Sequence, residues 1–109
     1  MEDRIRKYLF DMQEAIESIN VYLAESNTFS AYQRDKKLRR AVERELEIIG
    51  EAAAKLLQIE PGIKIDDVRK IVDLRNWVIH GYDKVDDVII WGIVVNHLPK
   101  LITQISELL

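Results

Sequence analysis

The amino-acid sequence predicts an all-α protein, an up-and-down bundle of four to five helices in a single domain over residues 1–109, and three observations carry that prediction. Apolar residues recur at three-and-four spacing along most of the chain, the pattern of helices that turn one face to a core. Glycine (4) and proline (2) are scarce, so breaks in those helices are few. The connection Glu25-Ser26-Asn27-Thr28-Phe29-Ser30 is short and polar, which sets its flanking helices antiparallel.

Composition narrows the function classes. Hydrophobic residues make up 48% and charged residues 32%, a balance that suits a packed core and excludes a disordered chain. No cysteine is present, so neither a disulfide framework nor a thiolate nucleophile or metal ligand is available. That fits a reducing compartment and a cytoplasmic address. No apolar run reaches the roughly 20 residues that span a bilayer, and Met1-Glu2-Asp3-Arg4 lacks the shape of a signal peptide, so a soluble protein without membrane contact is expected. A net charge of -3 and a pI near 5.4 argue against a broad basic face for duplex DNA. Any nucleic-acid site must be local.

The first helix runs from Asp3 to about Ala24, with Ile5, Tyr8, Leu9, Met12, Ile16, Ile19 and Leu23 on its apolar face. Thr28 or Ser30 is placed to cap the helix that follows. A second pattern from about Tyr32 to Gln58, through Leu38, Val42, Leu46, Ile49, Ala53 and Leu56, predicts one long helix. Gly50 and Ala52-Ala53-Ala54 would let a neighbour approach closely. Its first turns carry Arg34, Lys36, Lys37, Arg39 and Arg40, which reads either as a solvated face or as a contact for RNA backbone or an acidic partner.

Glu60-Pro61-Gly62 stops this helix. Ile65, Val68, Ile71, Val72, Val78 and Ile79 restart the period, with Asp66 and Asp67 where negative charge suits the helix dipole. A last helix from about Asp86 carries an almost wholly apolar stretch, Ile89 to Val95, which calls for burial on more than one side, in the bundle or against a second subunit. Pro99 within it predicts a bend near Val95 to Asn96.

The stretch that packing does not explain is Asp73-Leu74-Arg75-Asn76-Trp77-Val78-Ile79-His80-Gly81-Tyr82, the end of the third helix, with Gly81 as its stop. It gathers a guanidinium, an amide, an imidazole and a phenol. At about 100° per residue, Asn76 and His80 lie one above the other, whereas Arg75 and His80 point about 140° apart. Unwinding at Gly81, the reach of the arginine, or the same residues of a second copy would bring them together. Arg75 offers a planar fork to phosphate oxygens. His80 titrates near neutrality and can move a proton at a ribose hydroxyl. In RNA the 2′-hydroxyl is an internal nucleophile, so this pair suits phosphodiester cleavage with no cofactor or metal required in principle.

Blander readings stand beside these. A histidine at a helix end often only complements the dipole, and Tyr82, Trp77, Trp91 and Tyr8 suit a core. His97 reads as structural. A metal site from His80, Asp83, Asp86, Asp87 and His97 matches no familiar ligand spacing.

Arg75-Asn76-Trp77-Val78-Ile79-His80-Gly81-Tyr82 resembles the Arg-x-x-x-x-His-x-Tyr signature of the HepT-like toxins of the HEPN superfamily, including the polar residue after the arginine. Arg44-Glu45-Leu46-Glu47-Ile48-Ile49-Gly50-Glu51-Ala52 resembles that family's Ile-Gly-Glu-Ala segment, and Val85-Asp86 to Trp91, then Leu98-Pro99, its closing helix. The likeness covers roughly Arg39 to Leu109. It implies a HEPN-like bundle that dimerises so that two motifs face one cleft. Arg75 and His80 would be the catalytic pair of a metal-independent endoribonuclease and Asn76 a supporting polar residue. Tyr82 would take AMP from a partner nucleotidyltransferase of the MNT type, the antitoxin. Asp83-Lys84 departs from many relatives and sets an acid near the proposed phosphate site. Two other classes compete: a non-catalytic RNA- or nucleotide-binding helical dimer acting with a nucleotidyltransferase, and a structural dimer whose polar cluster only satisfies an interface.

Overall fold

The computed structural model describes residues 2–66, 69–73 and 86–109. Most of these are helical, with no strand among the described residues. The first helix, α1 (Asp3–Tyr22), buries Ile5, Leu9, Met12, Ala15, Ile16 and Ile19, the stripe its spacing predicts. Asp3 stands in its first turn, where an acid favours the dipole. The Leu23 N–H closes its end on the Ile19 carbonyl at 3.0 Å.

The long second helix expected from the sequence is two helices. A short α2 (Phe29–Arg34) is capped by Thr28, whose Oγ1 accepts from the Ala31 N–H at 3.2 Å. The chain then turns at Asp35, which is extended (φ -109°, ψ 96°), and α3 (Lys36–Ile59) begins. The break has a local cause. Asp35 Oδ1 accepts from the Leu38 N–H at 3.0 Å and satisfies one of the donors a helix start leaves unpaired. The apolar period carries over it because Tyr32 and Leu38 are both buried, one on each side of the corner.

The α3 helix is the central element. It buries Leu38, Val42, Glu43, Leu46, Ile49, Gly50, Ala52, Ala53 and Leu56, and it packs most extensively against α1. The small residues Gly50, Ala52 and Ala53 fall on this buried face, as the close-approach reading requires. Each fully buried Leu or Ile here contributes about 1.5–3 kcal/mol relative to an exposed one. After the turn at Pro61 and Gly62, the Asp66 N–H donates to Gln104 Oε1 at 3.1 Å, and residues 69–73 are helical.

The chain ends in α4 (Asp87–Asn96) and α5 (Leu98–Leu108), bent by 43° across His97. The predicted bend is present, one residue beyond the expected place. Pro99 lies in the first turn of α5, where its missing N–H has no intrahelical partner to lose, so the break falls ahead of it. No single described helix is long and apolar enough to cross a membrane; α4 and α5 pass that test only as a bent pair.

On α4 the sides differ. Ile90 and Val94 are buried, whereas Val88 (65% exposed), Ile89 (46%) and Val95 (50%) form an open apolar face within this chain. Gly92 lies between them, and a methyl group added there would meet nothing within 4 Å. Trp91 packs on α2, its ring centroid 5.3 Å from Tyr32 and 6.3 Å from Phe29. It is partly buried and packs against the core, the side the sequence reading favours over a stacking platform.

Candidate functional site

Arg75, Asn76, His80 and Tyr82, with Trp77 and Asp83, lie outside the described residues. What the structure supplies is the frame on either side of them. Before the motif, the helical residues 69–73 follow a backbone anchored to α5 through Asp66 and Gln104. After it, Asp86, the N-cap of α4, stands four residues beyond Tyr82. Asp86 Oδ1 accepts from the N–H groups of Val88 at 2.9 Å and Ile89 at 3.3 Å, a cap that fixes where the helix begins.

This start is tied to α3. Arg39 Nε stands 3.9 Å from Asp87 Oδ2, with both side chains mostly covered, and the Arg39 guanidinium also donates to the Gln33 carbonyl. The next residue, Arg40, reaches both Glu43 carboxylate oxygens, at 3.0 and 3.1 Å. Glu43 is only 7% exposed, and its burial holds the carboxyl above the usual range despite the opposing pull of Arg40. Tyr32 is wholly buried beside this pair, and its hydroxyl has no hydrogen-bond partner among the described residues. Burial, reinforced by Glu43 and Asp87, pushes its phenol well up, so it stays neutral.

The basic run therefore divides. Arg39 and Arg40 face carboxylates, and Arg34 donates to the Ser30 carbonyl at 3.2 Å. Lys36 and Lys37 are exposed and have no ion pair among the described residues. Sequence reasoning missed the buried carboxylate; its signal was the i,i+3 spacing of Arg40 and Glu43 on a face that is otherwise apolar.

A cavity of about 310 Å³ opens between α3, α5 and the helical residues that lead into the motif. Ile49, Ile93 and Leu101 floor it, and Lys70, His97 and Lys100 stand at its rim. His97 also occupies the α4–α5 junction, where its N–H bonds the Ile93 carbonyl at 2.9 Å and its carbonyl accepts from Leu101 at 3.0 Å. Among the described residues no three of His, Asp and Glu converge on one point; two members of the metal set weighed from sequence, His80 and Asp83, lie outside them.

An all-α fold built on one long central helix, with Arg-x-x-x-x-His-x-Tyr between two of its elements, defines a helical domain of the HEPN type. The chain belongs to the ribonuclease HepT-like family, whose model matches residues 12–108. It is 33% identical over 109 residues to "Putative RNase MJ0127" of Methanocaldococcus jannaschii, a match covering 96% of this chain and 87% of that protein. It is 35% identical over 107 residues to "Probable ribonuclease HepT" of Thermococcus cleftensis, covering 94% of each. No solved structure matches the chain at a significant level.

Proposed function

We propose that this chain is the ribonuclease toxin of a HepT/MNT-type toxin–antitoxin pair, acting as a homodimer that cuts RNA without metal. The observation that carries the reading is the signature Arg75 to Tyr82 lying within the residues that match the family. Arg75 would bind the scissile phosphate and stabilise charge as it develops, while His80 transfers the proton at the 2′-hydroxyl or the leaving oxygen. Asn76 supports them by hydrogen bonding. AMP attached to Tyr82 by the MNT-type partner would set a phosphate beside Arg75 and His80, filling the anion site and closing the cleft.

The open face of α4 supports the dimer. Val88, Ile89 and Val95 leave apolar surface uncovered on the element that follows the motif directly, so a two-fold contact there would bring two motifs near one axis. This also answers the angular problem of Arg75 and His80, since each could meet its complement from the other copy. A charge on this face, as in Ile89→Glu, should yield monomers by sedimentation and loss of cleavage together.

The decisive test is RNA cleavage by purified protein with and without EDTA. Arg75→Ala and His80→Ala should each abolish cleavage while leaving the circular dichroism spectrum unchanged, and EDTA should have no effect. Unchanged cleavage by both variants sinks the assignment. Intact mass after coexpression with a neighbouring nucleotidyltransferase should rise by an AMP increment that Tyr82→Phe removes.

A further inference from the structure

We infer that the corner between α2 and α3 is a binding ridge for the RNA phosphate backbone, formed by Lys36 and Lys37 with Arg34 and Arg40 beside them. The inference rests on the ribonuclease reading and extends its site beyond the motif. It starts from an anomaly in helix design. Acids stand in the first turns of α1 and α4, Asp3 and Asp87, and in none of α2, α3 and α5, but only α3 sets three cations there, Lys36, Lys37 and Arg39. Cations there oppose the positive end of the helix dipole. Stability of the helix therefore does not account for them.

Nor are the lysines present as salt-bridge partners. Among the described residues, each acid around the corner is already engaged: Asp35 on the Leu38 N–H, Asp86 on Val88 and Ile89, Asp87 with Arg39, and Glu43 with Arg40. Arg40 remains 60% exposed while it neutralises Glu43, and Lys36 and Lys37 are exposed without an ion pair among the described residues. The result is a locally cationic edge on a chain whose net charge is -3. A local edge is the form of nucleic-acid contact that such a balance permits.

Its position suits an extended substrate. Arg39 and Asp87 lock the first turn of α3 to the first turn of α4, and Asp86 follows Tyr82 by four residues, which reach at most about 14 Å of chain. Backbone held on the ridge would thus lead a single strand toward the motif. Point charges on flexible stems suit this task, since they hold phosphates without reading bases.

The test is binding of a fluorescein-labelled single-stranded RNA of about 20 nucleotides, followed by anisotropy across a potassium chloride series, on the His80→Ala protein to prevent cutting. Adding Lys36→Gln and Lys37→Gln should lower the slope of log K against log salt by about 1.4, at about 0.7 per phosphate contact in a single strand. Binding near physiological salt should weaken roughly tenfold by the same relation. Lys36→Arg with Lys37→Arg should restore both. An unchanged slope and affinity in the Gln variant, folded by circular dichroism, overturns the ridge even where Arg75 and His80 prove essential for cleavage. A lowered slope in a protein whose cleavage ignores Arg75 and His80 keeps the ridge and removes the catalytic pair. Loss of an acidic partner protein with RNA binding intact overturns the RNA assignment.

Discussion

Tyr32→Phe removes one oxygen from the junction of α2, α3 and α4, and the protein should become more stable. Tyr32 is 0% exposed and its hydroxyl has no hydrogen-bond partner among the described residues, so folding strips water from that group with nothing from them in return. An unsatisfied buried polar group costs about 1–3 kcal/mol. The ring itself stays useful, since its contact with Trp91 at 5.3 Å is kept by phenylalanine. Taking the lower end, a gain of about 1 kcal/mol on a domain of this size raises Tm by roughly 4 °C. Burial and the nearby Glu43 and Asp87 hold the phenol neutral, so the gain should be the same at pH 6 and pH 8. The assay is thermal unfolding by circular dichroism at matched protein concentration, because assembly would make Tm concentration-dependent. A fall of several degrees would refute the reasoning and mean that the hydroxyl holds a partner in solution.

Asp35→Ala removes the cap on the Leu38 N–H and should cost about 1 kcal/mol in urea unfolding, more than Asp11→Ala on the exposed flank of α1. Glu43→Gln probes linkage. The folded carboxyl sits above its unfolded value, chiefly through burial, so the stability linked to it is full below the unfolded value near 4.5 and is lost as pH rises through the folded one. Glu43→Gln should therefore lose less stability than the parent between pH 4 and pH 7 in chemical denaturation; parallel profiles would contradict this. Leu46→Ala, at a fully buried position facing α1, should cost about 2–5 kcal/mol in the same assay.

The stripe of α1 was legible because Ile5, Leu9, Met12, Ile16 and Ile19 repeat at helical spacing and every one of them is buried. The bend before Pro99 was legible because proline acts through fixed stereochemistry. The corner at Asp35 was hidden for the opposite reason. Apolar residues on both sides keep step, and an aspartate among five cations looks like part of a charged face when its role is to cap. The period of α4 was silent too: a helix apolar all round does not say which side its own chain covers, and only packing separates Ile90 and Val94 from Val88, Ile89 and Val95. For the candidate site, the sequence offers Arg75, His80 and Tyr82, which lie outside the described residues. It left unread the ion pair of Arg39 with Asp87, which joins residues 48 positions apart in the chain and has no local signature.

Asp35 ends α2, its N–H bonded to the Tyr32 carbonyl at 3.2 Å, and begins α3 through its carboxylate. With one residue serving both helices, the corner has no slack. Inserting a single amino acid would part the bond of Asp35 to Tyr32 from its cap on Leu38, letting Tyr32 swing off Trp91 and freeing the start of α4. The length of this link is thus as constrained as its chemistry, and relatives that keep the aromatic contact should admit insertions between α1 and α2 far more readily than at this corner.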